Sequence, residues 1–333
     1  MSDTRIFILS LAVTFIITVF ILKWLIPVLK SHKMGQKILE IGPRWHKNKE
    51  GTPTMGGLSF IVAIAVAAIA GFALIGVRDG IKSVIPGAIT LCYAILNGLV
   101  GIIDDKAKLR HKKNEGLTAK QKYLLQLIVA GAYLAAMALT ESITTALYIP
   151  YFDITLELGI AYYIVALLLL TGIVNSVNLT DGIDGLASSV TAVVGVFFAL
   201  AAFFGRADAN ESAVSLVASL LIGGTLGFLV YNFYPARVFM GDTGSLFLGG
   251  LVVGTAFLMN NPLIVLVIGF AYLMETASVI LQVSCFKLTH GKRIFKMAPI
   301  HHHFEQCGFS EIGVVILFTA ITVLGGVAAW FGL

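Results

Sequence analysis

Residues 83–106 read SVIPGAITLCYAILNGLVGIIDDK, an uncharged apolar run that ends in two adjacent aspartates, Asp104 and Asp105. A transmembrane helix needs about 20 consecutive apolar residues, and the run from Ser83 to Ile103 is long enough. An Asp at the bilayer centre costs about 2.5–3.5 kcal/mol on insertion scales, so two adjacent ones require water, a cation or a partner. The stretch predicts a membrane helix with a carboxylate pair at its boundary. Solvated acids that only mark a helix end are the alternative.

The composition extends this prediction to the whole chain. Of the 333 residues, 58% are hydrophobic and 12% are charged, whereas about 25% charge is typical of soluble domains. The sequence therefore predicts an all-α polytopic membrane protein with about ten transmembrane helices in one domain, 1–333. The expected spans lie near residues 5–27, 56–77, 84–103, 122–140, 157–175, 185–204, 213–231, 244–260, 262–285 and 312–332.

Two segments depart from a plain series of spans. The first apolar run continues past Lys23 to Leu29 without a small-residue cleavage site, so it predicts a retained helix rather than a cleaved signal. Residues 146–156, ALYIPYFDITL, are rich in β-formers. They predict a short hairpin.

Lysine and arginine are unevenly distributed between the two predicted faces. The stretches after odd-numbered spans, together with Lys23, hold 19 of the 23 basic residues, leaving Arg5, Arg78, Lys82 and Arg206 for the other face. By the positive-inside rule the acidic clusters face the cytoplasm and both termini lie on the outer face. A basic rim would also attract anionic lipid and a polyanionic substrate, although a topology signal alone explains the same bias. The basic set after odd-numbered spans comprises Lys30, Lys33, Lys37, Arg44, Lys47, Lys49, Lys106, Lys108, Arg110, Lys112, Lys113, Lys120, Lys122, Arg237, Lys287, Lys292, Arg293 and Lys296.

A second polar cluster, NLTDGID, follows the fifth predicted span. Asn178, Asp181 and Asp184 are spaced three apart, so they line one side if the segment winds into the sixth helix. Gly182 lets the backbone approach a ligand closely, and a helix N-terminus attracts phosphate. N-capping by Thr180 or Asp181 is the alternative, and it explains one acid rather than three polar residues.

A third cluster lies between the seventh and eighth predicted spans. Asn232 ends one span, and the sequence FMGDTGS at 239–245 opens the next. Asp242 is flanked by glycine and a Thr-Gly pair, which predicts an exposed carboxylate on a tight turn; a plain turn is the alternative. All three clusters follow odd-numbered spans and emerge on one face. Since carboxylate oxygens suit magnesium, they predict a magnesium–phosphate site beside lipid.

The sequence KMAPIHHHFE at 296–305 contains three consecutive histidines, His301, His302 and His303. Three consecutive residues cannot all point the same way on a helix. Imidazoles that hold a pyrophosphate fit the neighbouring lysines best. Zinc binding and a solvated loop are the alternatives.

These motifs resemble those of the phospho-N-acetylmuramoyl-pentapeptide-transferase family, the bacterial translocases of the polyprenyl-phosphate N-acetylhexosamine-1-phosphate transferase superfamily. The likeness is carried by DDK at 104–106, NLTDGIDG at 178–185, FMGDTGS at 239–245 and APIHHHFE at 298–305, and it reaches back to GTPTMGG at 51–57. It implies a magnesium-dependent, multi-pass transferase of the bacterial inner membrane. In that family undecaprenyl phosphate attacks the β-phosphate of UDP-N-acetylmuramoyl-pentapeptide, giving lipid I and UMP for peptidoglycan synthesis.

The resemblance also implies roles for individual residues. Asp242 is the expected magnesium ligand, Asp104 and Asp105 are the expected catalytic acids, and His301 and His302 are expected in the active site. The implied substrate-binding positions are Lys49, Lys108, Lys120, Asn178, Asp181, Gly182, Asp184, Asn232, Phe239, Gln282 and His303, with Lys108 and Lys120 near the phosphates and the uracil near Phe239.

Two other functions are compatible with parts of the pattern. A transporter would place acids near the bilayer midplane in broken helices, whereas these acids cluster at one interface. A sister enzyme would transfer N-acetylglucosamine-1-phosphate to the same lipid, but the histidine tract favours the muramoyl substrate. The expected partners are the two substrates and membrane lipids, with a homodimer left open. The basic residues lie in short loops, so no nucleic-acid partner is expected.

Overall fold

The computed structural model of the chain describes residues 1–32, 49–111, 116–207 and 210–333. Part of the basic set used for the orientation, Lys33, Lys37, Arg44, Lys47, Lys112 and Lys113, lies outside the described residues, as does the side chain of Arg110.

The described residues form a helical bundle with one small hairpin, which confirms the all-α membrane fold class. Nine of their helices are long and apolar enough to cross a membrane. The helices are α1 (Asp3–Ser31), α2 (Leu58–Asp79), α3 (Ile85–His111), α4 (Ala119–Leu139), α5 (Ile160–Thr180), α6 (Leu186–Phe203), α7 (Glu211–Asn232), α8 (Gly241–Leu258), α9 (Ile264–Ile268), α10 (Phe270–Leu288), α11 (Ile300–Gln306) and α12 (Glu311–Trp330).

The predicted span 262–285 is the one that differs. It forms two helices, α9 and α10, which meet at Gly269, and neither piece is among the nine spanning candidates. The Gly269 N–H closes α9 by donating to the Val265 carbonyl at 2.8 Å. A Cβ at Gly269 would lie 2.5 Å from that same carbonyl oxygen, so this close turn needs glycine. This predicted span is thus interrupted at Gly269, and the nine uninterrupted candidates among the described residues agree with the prediction of about ten transmembrane helices.

Both termini lie at the end of the bundle opposite the acidic clusters. Near residue 1, the Arg78 guanidinium at the end of α2 donates to the Met1 carbonyl at 2.9 Å and to the Ser212 hydroxyl at 2.8 Å. Near the other terminus, the Arg206 guanidinium donates to the Leu333 carbonyl at 2.8 Å. This arrangement agrees with an even number of crossings. Which side of the membrane the termini face stays a prediction.

The centre of the bundle is formed by α7 and α8. In their most apolar windows 83% and 89% of residues are buried, against 28% for the peripheral α1 and α12. Small residues on α8 allow this close packing: a Cβ at Gly249 would meet the α5 backbone at Val174, and one at Gly250 would meet the α3 backbone at Ala94. Small residues at helix contacts are typical of membrane bundles. The core thus fixes α3 and α5 against α8.

The predicted hairpin is confirmed. Strands β1 (Ala146–Ile149) and β2 (Ile154–Glu157) pair antiparallel, with Ala146 opposite Glu157. The Tyr151 hydroxyl in the connecting turn donates to the Ala328 carbonyl of α12 at 3.0 Å. The hairpin therefore packs at the end of the bundle that holds the termini.

Candidate functional site

Asp104 and Asp105 lie inside α3, because this helix continues beyond the predicted span to His111. Both side chains are buried. The Asp105 carboxylate accepts hydrogen bonds from the backbone N–H of Asp242 at 3.2 Å, and from the N–H and hydroxyl of Thr243 at 2.9 and 2.7 Å. Asp105 therefore satisfies N–H groups at the start of α8 that have no partner within the helix.

Asp242 lies in the first turn of α8, after Gly241 with φ +70°. It is not the exposed turn carboxylate that the sequence predicted, because only 15% of its side chain is accessible. One oxygen, Oδ2, accepts from Lys108 Nζ at 2.7 Å and Lys122 Nζ at 2.8 Å, while Oδ1 accepts from Asn178 Nδ2 at 2.9 Å. Residues from α3, α4 and α5 thus converge on this carboxylate.

Asp104 contacts the same two lysines as Asp242. Its Oδ2 is 2.9 Å from Lys108 Nζ and 3.7 Å from Lys122 Nζ, while its Oδ1 accepts from the Leu117 N–H at 2.7 Å. The Lys108 ammonium therefore bridges oxygens of Asp104 and Asp242. This position, between two carboxylates, is one where a cation is held by hard oxygen atoms.

The start of α4 orients Lys122. Thr118 caps the helix by accepting from the Gln121 N–H at 3.3 Å, and the Gln121 side chain accepts from the Thr118 N–H at 3.0 Å. This capping box fixes the first turn. One turn later, the Asn175 amide donates to Gln126 Oε1 at 2.8 Å and links α4 to α5. Lys122 of α4 and Asn178 of α5 are thereby brought to Asp242 together.

Lys120, the expected phosphate lysine, is exposed in the same turn, and its side chain makes no hydrogen bond or ion pair in the described part of the chain. In the sequence, Lys122 stands out only as one of the basic residues that follow odd-numbered spans. Lys122 lies two residues after Lys120, on a different side of α4. Hydropathy alone does not show which side of this helix turn faces the carboxylates.

The predicted NLTDGID cluster ends α5 rather than starting α6. Asn178 lies in the last turn of α5, and Asp181 is the residue that follows the helix. The capping alternative is wrong: the Thr180 hydroxyl donates to the Ser176 carbonyl of its own helix at 2.8 Å, and α6 begins after Gly185 in the left-handed conformation, with no side-chain cap. Asn178 thus ends α5, while Asp181 and Asp184 lie in the turn between α5 and α6.

Asp181 is the least compensated acid of this turn. No described group donates a hydrogen bond to its side chain. Burial raises the pKa of the Asp181 carboxyl well above its usual range, and the carboxylates of Asp242, Asp105 and Asp184 raise it further. Asp181 is only partly buried, and a cation or hydrogen-bond donor from outside this set of residues would stabilise its ionised form.

Asp184 instead belongs to a buried ionic cluster. Lys49 Nζ lies 2.7 Å from Asp184 Oδ1 and 2.5 Å from Glu311 Oε2 at the start of α12. The second oxygen of Asp184 accepts from the Ala236 N–H at 2.9 Å. Glu311 was not among the predicted site residues, because it is a first-turn acid that a helix N-terminus alone would explain.

Three other predicted substrate residues hold the backbone of neighbouring loops. The Asn232 amide accepts from Gly185 N–H at 3.2 Å and donates to the Val238 carbonyl at 3.0 Å. Gln282 donates to the Phe295 carbonyl at 3.1 Å and accepts from the N–H groups of residues 294 and 295 at 3.0 Å. Phe239 is half-buried, and its N–H and carbonyl bond to the 53–56 segment.

The three histidines point in different directions, as the sequence predicted. His301 is almost fully buried, with Nδ1 3.1 Å from Glu275 Oε1. His302 Nδ1 lies 2.7 Å from Glu305 Oε2. His303 turns away and accepts the Lys296 N–H at 3.2 Å through Nδ1. Among the described residues, no group of three or more His, Cys, Asp or Glu side chains could hold a metal ion together.

Glu275 is the third residue of this region, after Lys122 and Glu311, that the sequence motifs do not single out. It is a fully buried acid inside the predicted span 262–285. An ionisable residue within an apolar span is itself a signal, because it needs a partner inside the membrane protein. The acid within an apolar run is visible in the sequence, and the structure shows that its partner is His301.

Comparison with known proteins supplies the context for these residues. Residues 87–260 match the family model described as glycosyl transferase family 4. A protein of Clostridioides difficile named phospho-N-acetylmuramoyl-pentapeptide-transferase is 44% identical over 322 residues, which cover 96% of this chain and 95% of that protein. Proteins of the same name from Clostridium acetobutylicum and Staphylococcus aureus are 42% and 40% identical, covering 95% and 97% of this chain and the same shares of their own lengths.

Proposed function

This chain belongs to the phospho-N-acetylmuramoyl-pentapeptide-transferase family, and we propose that it transfers phospho-N-acetylmuramoyl-pentapeptide from the UDP-linked sugar to undecaprenyl phosphate, giving lipid I and UMP. It is a multi-pass protein of the bacterial inner membrane. The observation that carries the proposal is the convergence of Lys108, Lys122 and Asn178 on Asp242 at one end of the bundle. Phosphoryl transfer depends mainly on positioning and charge neutralisation, which such a cluster provides.

Magnesium fits the carboxylate cluster. The Lys108 ammonium lies 2.9 Å from Asp104 Oδ2 and 2.7 Å from Asp242 Oδ2, so two hard oxygens from different helices already face one cationic centre. Asp242 would hold the ion, with Asp104 beside it, since Mg²⁺ in phosphate sites is usually bound through one or two carboxylates. When bound, it would neutralise negative charge on the diphosphate.

Lys108 and Lys122 neutralise phosphate charge in this proposal. Each ammonium now pairs with Asp242, and a diphosphate entering the site would offer oxygen acceptors of the same kind. Asn178 keeps Asp242 in place by donating to its other oxygen. Lys120, exposed in the same helix turn as Lys122, remains a proposed phosphate contact of longer range.

The acceptor phosphate attacks the β-phosphorus directly. A new P–O bond forms to the lipid phosphate, while the bond from the β-phosphorus to the bridging oxygen breaks and its electron pair leaves with UMP. The contacts of both α3 acids support this route over an aspartyl-phosphate: Asp105 has both oxygens on α8, and Asp104 has one on the Leu117 N–H and one on lysine. The lipid phosphate, with a second pKa near 6, is mostly dianionic at neutral pH and needs little help from a base.

The nucleotide is proposed to lie on the side formed by the turn between α5 and α6 and the loop before α8. Asp181 lacks a partner there and could accept from the nucleobase or ribose. Phe239 offers a half-buried ring for stacking on uracil. Asn232, Gln282 and His303 hold the surrounding backbone, while Lys49 and Asp184 form the nearest buried ion pair.

The setting of the site is part of the proposal. The acidic end of the bundle faces the cytoplasm, where the nucleotide sugar is soluble, and the termini face outside. Membrane lipids surround the single domain, 1–333, and the acceptor lipid enters sideways between helices. A homodimer is a further proposal that no described contact addresses.

Purified protein tests the activity and its closest alternative together. With undecaprenyl phosphate, UDP-N-acetylmuramoyl-pentapeptide should give equimolar lipid I and UMP, while UDP-N-acetylglucosamine should give no lipid-linked product. Turnover with the second nucleotide alone would establish the sister transferase instead. Substrate accumulation in sealed vesicles without UMP release would establish a transporter.

A further inference from the structure

The His301 ring packs directly against Gly182, which joins the histidine tract to the acidic turn. The three heavy atoms nearest to a Cβ built at position 182 all belong to the His301 ring, and the first two would overlap it. The backbone at Gly182 is not in the left-handed region, so other residues could adopt its conformation. The ring is therefore what requires glycine here.

The His301 ring itself is held from the opposite side by Glu275. Its Nδ1 lies 3.1 Å from Glu275 Oε1, and the two side chains are 1% and 0% exposed. The His301 backbone N–H also donates to Glu275 Oε2 at 3.4 Å. This N–H belongs to the first turn of α11, where N–H groups have no partner in the helix. Glu275 thus holds both the ring and the helix start.

Burial limits what the His301 ring can do directly. Neither ring nitrogen has a hydrogen bond of good geometry within the described residues, and the neighbouring His302 ring covers one side with centroids 4.1 Å apart. The remaining contact is with Gly182, which follows Asp181 and precedes Asp184 by two residues. In this position the His301 ring packs against the backbone of the turn between α5 and α6.

We infer that Glu275 is a positioning residue: it fixes the His301 ring against Gly182, and through this contact it sets the place of Asp181 in the active site. The inference deepens the proposed transferase function and rests on it. It assigns His301 to the support of the acidic turn rather than to direct contact with the diphosphate. A misplacement of about 1 Å that begins far from the reacting atoms can cost roughly 100-fold in rate, so this support of a nucleotide-binding residue matters for turnover.

A suppression experiment tests the contact. Gly182→Ala should lower kcat/KM between about 10-fold and 100-fold, because the new methyl displaces the turn. His301→Ala opens the space that this methyl needs. The double variant Gly182→Ala/His301→Ala should therefore be more active than Gly182→Ala alone. A double variant no more active than Gly182→Ala overturns the inference, as expected if His301 bound substrate directly and the losses multiplied.

The role of Glu275 is tested by two substitutions and a control. Glu275→Gln keeps an acceptor for the His301 N–H and should stay within a few-fold of wild type, whereas Glu275→Leu should raise KM for the nucleotide sugar. That increase should vanish in the His301→Ala background. Ser278→Ala, which removes a buried hydroxyl that donates to the backbone carbonyl of Glu275 at 2.7 Å and leaves the Glu275 side chain intact, should leave both constants unchanged. Persistence of the Glu275→Leu effect without the ring refutes action through His301.

A second readout separates this inference from the proposed function. The unfolding temperatures of wild type, the two single variants and the Gly182→Ala/His301→Ala double form a cycle that needs no turnover. Absence of lipid I from the wild-type reaction contradicts the proposed function alone. Additive unfolding temperatures across the cycle contradict the Gly182–His301 contact alone.

Discussion

The carboxylate of Asp105 caps the helix that carries Asp242, through hydrogen bonds to the backbone N–H of Asp242 itself and to the following residue. Both of its oxygens are engaged in this way. A side chain so fixed holds its neighbour in place, and its hydrogen bonds to the α8 backbone favour a structural role over attack on phosphorus. The two adjacent acids of α3 therefore differ: Asp104 faces the lysines, and Asp105 faces the backbone of α8.

Asp105→Asn should lower both activity and stability. The amide presents a donor where Thr243 also donates, so the α8 cap is weakened, at a cost of about 1–2 kcal/mol by analogy with other helix caps. Unfolding temperature and kcat measure the two effects. Thr243→Val removes one donor at similar volume and should show a smaller loss of each.

Isotope exchange examines the same acid from the mechanistic side. Labelled UMP should not exchange into the nucleotide sugar when lipid phosphate is rigorously absent, because direct attack has no covalent enzyme intermediate. Clear exchange by the wild type, lost in Asp105→Asn or Asp104→Asn, would establish an aspartyl-phosphate and refute direct attack.

Asp242→Asn should abolish turnover and weaken the dependence on magnesium while the protein still folds. Asparagine retains one acceptor for Lys108 and Lys122 but loses the charge that attracts a divalent cation. A magnesium titration of activity, paired with an unfolding curve, provides the measurement. Near-normal turnover of the variant at low magnesium would exclude Asp242 as the ligand.

Lys122→Gln should lower kcat/KM by roughly 10- to 100-fold. Charge-assisted hydrogen bonds contribute about 1.5–3 kcal/mol each, and every 1.4 kcal/mol is a factor of about 10. Lys120→Gln is the matched control, since it makes the same chemical change on an exposed side chain of the same helix turn, and we expect a loss of less than about 3-fold, in keeping with an exposed charge. Equal losses in the two variants would mean that the ion pair between Lys122 and Asp242 does not determine activity.

Strong zinc chelators should leave the enzyme active in excess magnesium. One nitrogen of each of two histidines is engaged, His303 Nδ1 by the Lys296 N–H and His302 Nδ1 by Glu305, and the His301 ring is buried. Metal analysis of tag-free protein is the direct check. Stoichiometric zinc, lost together with activity on chelation, would contradict this assignment.

Much of the fold follows from apolar runs alone, because a run of about 20 apolar residues has few alternatives to a membrane helix. The hairpin at 146–157 was readable for the same kind of reason, namely local β-propensity between two spans. The break at Gly269 was not, since the run 262–285 stays apolar on both sides of this glycine and its hydropathy does not show where the helix is interrupted.

The site was predictable as a set of residues but not as a set of contacts. Hydropathy and motif spacing identify Asp104, Asp105 and Asp242, yet they cannot assign the capping role to one of an adjacent pair. Lys120 and Lys122 differ by about 200° around a helix, and only tertiary packing decides which faces Asp242. Resemblance to a family identifies which residues belong to the site. The burial and hydrogen-bond partners of each side chain then distinguish substrate-binding residues from residues that hold the structure.

The ion pair between Lys108 and Asp104 within α3 has a consequence for the synthesis and insertion of the chain. These two residues are one turn apart in α3, so the charge of Asp104 is compensated as soon as that helix forms. The donors for Asp105 lie on α8, 137 and 138 positions along the chain. A nascent chain that has not yet inserted α8 carries an acid without its designated partners at the membrane boundary. Completion of the active centre is therefore tied to late insertion events, and a ribosome stalled before residue 241 would hold an inactive, incompletely satisfied bundle.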